Sequence, residues 1–429
     1  MKRVLLLAHH FPPVGGAGVQ RVTKFTRYLP EFGYEPIVLT GGGAAGGRWT
    51  PTDQTLLRDV PAETEVRRVA GNEPGVATRW RARSERWLRI ETGWDRWWVD
   101  GLVRAASEVG AVDLVFASMS PFSATRAAAT IAVERGIPWI ADLRDPWALD
   151  EMMVYPSRLH RRLAEREMER SLAGADAIVM NTLEAGQLLA RRFPSLSRVP
   201  VRVIPNGFDT ADFAGEPPAR DHDRFRIVHT GYLHTELGRR HDRHRRLRAL
   251  LGGDVPGVDI LTRSHVYLLR AIEELRARES AVAEVIELHL AGVIGSADRV
   301  QSDVVREHGY LPHHDSISLL RSADLLFLPM QNVAGRASIV PGKTYEYLAA
   351  QRPILAAVPA GDARDILDSY DQTFLSRPDD ARAMSEILEL LVRRWRSHGP
   401  AVDTTRDIRR FERRELTSEL ASLFDLVLA

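Results

Sequence analysis

The 429-residue sequence contains no cysteine, and lysine occurs only at positions 2, 24 and 343. Without thiols there can be no disulfide, iron–sulfur cluster, cysteine zinc site or thiol nucleophile. Arginine carries nearly all the positive charge, which we read as genomic bias rather than function. Net charge is missing too: 58 basic side chains stand against 57 acidic ones, leaving +1. Neutralising nucleic-acid phosphates normally takes a clear basic excess, so nucleic acid is not an expected partner. No apolar run is long enough to span a bilayer. The run at the amino terminus, Val4 to Ala8, stops at His9-His10 and is too short for a signal peptide. The expected compartment is the cytoplasm.

What is present is a globular composition, 44% hydrophobic and 27% charged, at a length that implies two domains. Val4 to Ala8 reads as a strand buried on both faces. A loop with Gly15, Gly16 and Gly18 follows, then helical spacing at Val19, Val22, Phe25 and Leu29, then a strand at Pro36 to Thr40. That is one βαβ unit. Strand-like runs recur at 113–117, 139–141, 177–180 and 201–204, and a polar stretch from Ala211 to Arg224 marks a boundary. The rhythm restarts at 226–231, 287–292, 324–329 and 353–357. We expect an α/β protein with two Rossmann-like doubly wound domains facing across a cleft, over 1–215 and 222–400. Residues 401–429 read as a helix able to pack back on the first domain.

Two stretches break the rhythm. Residues 78–100 hold five of the nine tryptophans, at 80, 87, 94, 97 and 98, mixed with arginines. They read either as a packed excursion of the first domain or as a surface facing a membrane or a lipid-linked acceptor. The run Arg239 to Arg246 stands where a short strand-to-helix loop is expected, and reads as a solvated, mobile loop from which Arg239 reaches a diphosphate.

Several groups offer chemistry. The glycines at 15, 16 and 18 let a ligand approach the backbone at a helix start, although the pattern is neither a dinucleotide fingerprint nor a P-loop. Gly342 and Lys343 open a short helix, with Glu346 one turn on along the same face. Lys343 suits a diphosphate and Glu346 the hydroxyls of its ribose, against the plainer option of a surface ion pair. Asp142, Arg144 and Asp145 follow a strand at its carboxyl end, where an aspartate can act as a base and an arginine can fix it. The same three residues also suit a loop-steadying network. Asp221-His222-Asp223 is an Asp-x-Asp in a linker and reads as solvated charge, so no metal is expected.

The segment Lys343 to Pro353 resembles the Lys-x-x-Glu-Tyr-Leu-Ala-x-x-x-Pro signature of GT-B glycosyltransferases of the family-4-like kind. Pro12 to Arg21 is similar to that family's acceptor loop, and Asp142-Leu143-Arg144-Asp145-Pro146-Trp147 to a motif of its surface-polysaccharide and natural-product subgroup. Ile204 to Asp209, Thr230 to His234 and His308 to Pro312 match further segments in order. The resemblance implies sugar transfer from a nucleotide-diphosphate-sugar, with UDP the expected nucleotide and no other cofactor. It implies a glycan, lipid-linked or small-molecule acceptor bound by the first domain. The donor is then held in the second domain by Arg239, Tyr310, Leu311, Ser338, Gly342, Lys343 and Glu346. Peripheral contact with the inner face of a membrane stays open. Retaining members usually carry two glutamates eight positions apart; here the first position is Ser338. That departure supports a rival reading, a non-catalytic subunit that binds nucleotide or glycan beside an active partner.

Overall fold

The computed structural model describes residues 1–43, 51–75, 78–219, 223–243, 245–403 and 405–429. It divides into two compact units. The first comprises Met1–Gly207, Leu251–Asp254 and Phe411–Ala429, and the second Phe208–Leu250 and Val255–Arg410.

The first unit is built on seven parallel strands: β1 (Lys2–Ala8), β2 (Tyr34–Thr40), β3 (Glu65–Arg68), β4 (Leu114–Met119), β5 (Trp139–Leu143), β6 (Ala177–Met180) and β7 (Val201–Val203). Their order is β3-β2-β1-β4-β5-β6-β7, so the winding reverses between β1 and β4. Val4 to Leu7 and Leu114 to Ala117 are wholly buried, as continuous apolar strands covered on both faces must be. One face packs on Trp98, Leu102 and Ile131. The other packs on Val22, Phe25 and the carboxy-terminal helix Arg413–Leu428, through Leu416, Leu420 and Phe424.

The second unit has six parallel strands: β8 (Phe225–Thr230), β9 (Ile286–Ala291), β10 (Val305–Gly309), β11 (Leu325–Pro329), β12 (Ile354–Ala357) and β13 (Thr373–Ser376). Their order is β10-β9-β8-β11-β12-β13, with the reversal between β8 and β11. The helices Val266–Arg278 and Ala381–His398 cover one face with Leu268, Ile272, Leu388 and Val392.

Three expectations need correction. The first segment of the first unit runs to Gly207, not 215. Residues 208–215 are tied to the second unit because His313 Nε2 lies 3.2 Å from the Asp212 carboxylate and Arg321 donates to the carbonyls of Ala214 and Gly215. The carboxy-terminal helix starts at Arg413, not 401, with the Glu412 carboxylate capping its first amides. Residues up to Arg410 stay with the second unit. Arg406, buried there, pairs with Asp403 at 2.8 Å and donates to the carbonyls of Arg352 and Asp371. Finally, the Arg/His run is not a loop but two helices, Thr235–Arg243 and Arg245–Leu251. Asp221, His222 and His244 lie outside the described residues.

The Phe424 ring is wholly buried, 5.1 Å from that of Tyr34 and 5.7 Å from that of Phe116. Phe424→Ala is expected to destabilise the first unit by about 3–5 kcal/mol, the usual cost of emptying a buried aromatic site. Urea unfolding followed by near-UV circular dichroism measures it.

Candidate active site

In the second unit the strand order reverses beside β8, and the carboxyl ends of the strands there form the crevice where such sheets take ligands. His229, near the end of β8, is buried with Nδ1 3.0 Å from the Phe327 carbonyl of β11. A carbonyl only accepts, so Nδ1 carries the proton and Nε2 presents its lone pair. Lys343 Nζ lies 3.3 Å from that Nε2 and donates to it. Gly231 makes room for the lysine. A Cβ there would stand 2.8 Å from Nζ, and its φ of +102° suits glycine. One residue before, the Thr230 amide donates to the Tyr347 hydroxyl at 3.0 Å, which ties the helix Lys343–Ala349 to the end of β8.

Burial pushes the Lys343 ammonium down to about 7, the nearby Arg263 guanidinium pushes the same way, and Glu346 opposes both. His229 is driven well below the usual imidazole range by burial and by Lys343, so it stays neutral. Arg263 donates to the Gln331 side chain at 3.1 Å, and Thr262 joins the same two loops by donating to the Met330 carbonyl. The edge therefore gathers two cations and one partly buried carboxylate, an arrangement suited to a polyanion.

The first unit offers a different edge. Asp142, on β5, is wholly buried, and Arg21 grips it with Nη2 to Oδ1 at 2.8 Å and Nε at 3.1 Å. Ser118 Oγ donates to Oδ2 at 2.9 Å, and Arg21 Nη1 to the Pro205 carbonyl at 2.9 Å. Arg144 turns the other way and donates to the Gly18 carbonyl. A Cβ on Gly18 would stand 2.5 Å from its guanidinium, so this glycine admits an arginine. Asp145 is 3.8 Å from Arg144 and half exposed. Gly15 donates its amide to Pro51, and Gly16 caps the helix Ala17–Tyr28. At the end of β1, burial and then the Arg144 charge push His10 down to about 3, which leaves it neutral.

Of the residues singled out in the sequence, Lys343, Gly342 and Glu346 sit together at the β8 edge. Tyr310 and Leu311 follow β10 at the carboxyl edge of the same sheet. Ser338 is buried on a segment whose neighbour, Ala337, donates its amide to the Ala360 carbonyl. Arg239 is exposed on the helix Thr235–Arg243, and the arginine whose charge acts on Lys343 is Arg263. The arginine that fixes Asp142 is likewise Arg21, not Arg144. Neither partner carries a local signal, because each lies far along the chain from the residue it serves. The helix opening at Gly342 spans only seven residues, so its dipole is small and the cationic side chains dominate.

Residues 14–212 match the model of Glycosyltransferase Family 4, and residues 261–394 match that of the glycosyl transferases group 1. The fold is that of GT-B proteins. The HepE protein of Anabaena, solved with UDP and glucose, superposes with a TM-score of 0.60 at 16% identity, over 99% of this chain and 100% of that one. Sucrose-phosphate synthase from Thermosynechococcus elongatus gives 0.62 at 13% identity, over 100% and 99%. A UDP-forming trehalose-phosphate synthase from Burkholderia xenovorans gives 0.56 at 13%, over 100% and 99%. No curated protein matches the chain in sequence. Two parallel sheets wound in this way, together with these neighbours, give the GT-B fold. The chain belongs to the GT-B glycosyltransferases of the family-4 type.

Asp142, with both oxygens engaged and no exposed surface, is placed to hold Arg21 rather than to accept a proton. Asp142→Asn leaves that guanidinium buried without its counter-charge, and should destabilise the first unit by about 3–5 kcal/mol. If Asp142 instead acts as a base, urea unfolding stays at the wild-type midpoint while turnover falls.

Proposed function

We propose that the chain transfers a sugar from a nucleoside-diphosphate donor, with UDP the expected nucleotide, to a hydroxyl or amine of an acceptor. The observation that carries this reading is the Lys343 ammonium over Gly231 at the end of β8, held by the His229 lone pair, with the Arg263 charge acting on it. The bond between the anomeric carbon and the β-phosphate oxygen breaks, the acceptor oxygen or nitrogen bonds to that carbon, and its proton passes to the departing diphosphate. Negative charge grows on the leaving oxygen, and Lys343 and Arg263 stabilise it where water is scarce. Glu346 accepts from the ribose hydroxyls, and the loop at Tyr310 and Leu311 meets the base. The second unit thus takes the donor. The first takes the acceptor, a glycan, a lipid-linked sugar or a small molecule, on the loops at Gly15 to Gly18 and Asp145. The UDP and glucose bound by the Anabaena protein support this choice of donor.

In this reading side-chain cations take the place of a metal. Release of nucleoside diphosphate from a panel of UDP-, GDP-, TDP- and ADP-sugars is the test, run with and without excess EDTA. Turnover on one donor should persist in EDTA. Loss that magnesium or manganese restores overturns the metal-free reading, and no release from any donor favours the non-catalytic subunit.

Lys343 also sets a pH dependence. Its folded-state pKa of about 7 lies below the ordinary lysine value, and a bound diphosphate favours the charged form. Binding above pH 7 must therefore take up a proton, whereas below it the ammonium is already present. UDP affinity should fall by up to about tenfold per pH unit above 7. Calorimetry in buffers of different ionisation enthalpy counts the proton. Lys343→Ala should bind UDP weakly with no uptake; unchanged uptake would place the titration elsewhere.

A further inference from the structure

Five tryptophans fall between residues 78 and 100, and the structure separates them. Trp98 is in the core, with Trp94 and Trp97 packed against it. Trp80 and Trp87 lie on a separate helix, Arg79–Leu88, and are 82% and 44% exposed. Leu88 is 70% exposed and Ile90 53%. Seven residues are close to two helical turns, so both rings lie on one face, about 10 Å apart along the axis. Large apolar side chains grouped on exposed surface mark a binding surface rather than a core.

The charge of the segment points to the partner. From 79 to 90 the chain carries five arginines and one glutamate. Glu85 is already paired with Arg81 at 2.8 Å, and Arg89 with Glu167 at 2.5 Å. Arg83 and Arg86 are exposed. The helix is held at its far end, where His160 Nε2 donates to the Trp87 carbonyl at 3.0 Å and its ring meets the indole edge-on. Leu159, next to that histidine in the chain, is a further large apolar side chain left 62% exposed.

We infer that the helix Arg79–Leu88 is an interfacial anchor, which lays Trp80 and Trp87 into the surface of an anionic bilayer while its arginines meet the lipid headgroups. Indole rings favour the headgroup boundary, and arginines flanking them gain from anionic lipid. A second copy of the chain is a poorer occupant, because it would set one arginine cluster against another. No helix among the described residues is long and apolar enough to cross a membrane, so such contact would be peripheral. This inference does not depend on which donor is used.

Flotation of the full-length protein with vesicles tests it. Wild type should bind equimolar phosphatidylcholine–phosphatidylglycerol vesicles, release in high salt, and ignore phosphatidylcholine alone. Trp80→Ser with Trp87→Ser should weaken binding by more than about tenfold. Arg81→Gln, Arg83→Gln and Arg86→Gln together should weaken it on the order of a hundredfold. Donor hydrolysis, far-UV dichroism and the urea midpoint should not change in either variant, since these side chains lie outside the core. Brominated lipid should quench part of the wild-type tryptophan emission, which reads insertion without any substitution. The proposal fails if wild type ignores anionic vesicles, if both variants bind as wild type does, or if light scattering shows a dimer that the variants dissolve.

Discussion

A cation kept from water is stable only where something negative or electron-rich meets it, and the carboxyl edges of both sheets are arranged around that constraint. In the first unit the demand is met inside the protein. Arg21 finds both oxygens of Asp142, a carbonyl at Pro205 and the face of Phe25 at 4.9 Å. The result is a closed network that fixes the ends of β4 and β5 and leaves little free charge. In the second unit the demand is only partly met. Lys343 has a neutral imidazole at 3.3 Å and the opposing charge of Glu346, and Arg263 works against both. The depressed ammonium records that imbalance. A bound polyanion would relieve it, which is why the second edge and not the first reads as a phosphate site.

The scarcity of lysine is more informative than it first appears. In a chain that uses arginine for most of its positive charge, Lys24 and Lys343 sit where a compact ammonium fits. Lys24 is buried and pairs with Asp59 at 2.9 Å. Lys343 stands over a glycine that leaves space for Nζ but not for a Cβ of its own. A planar guanidinium is wider and cannot lose its proton near neutral pH, so neither the packing nor the titration would survive an arginine at 343. Overall composition is thus legible as bias, while these two exceptions mark places where a compact ammonium is packed.

What could be read from the sequence follows from how far apart the cooperating residues lie. Central strands such as Val4 to Ala8 and Leu325 to Pro329 are buried on both faces and stand out as apolar runs. Edge strands β3 and β10 each hold a single valine among charged or polar residues and lack that signature. Lys343 and Glu346 were legible because helical spacing joins them. Arg263 and Arg21 were not, since the fold alone brings each to its partner. The run at 239 shows the converse: it is conspicuous in sequence, yet Arg239 and Arg240 face solvent while His241 is buried. The tryptophan stretch held both readings at once, and burial separates the packed rings at 94, 97 and 98 from the exposed ones at 80 and 87.

Storing charge before the ligand arrives has a consequence for catalysis. The His229 tautomer is set by a backbone carbonyl on the neighbouring strand, so its lone pair cannot turn away from Lys343 without breaking a buried hydrogen bond. In the function proposed above, the ammonium is therefore aimed before binding, and little reorganisation would remain when charge moves onto a diphosphate. That aim depends on β8 and β11 being adjacent, which is where the strand order reverses. The same topology that opens a crevice at the carboxyl edge also supplies, from the strand across it, the carbonyl that orients the imidazole. Fold and electrostatics are one design here, because a sheet without the reversal would bring neither the opening nor the Phe327 carbonyl to this lysine.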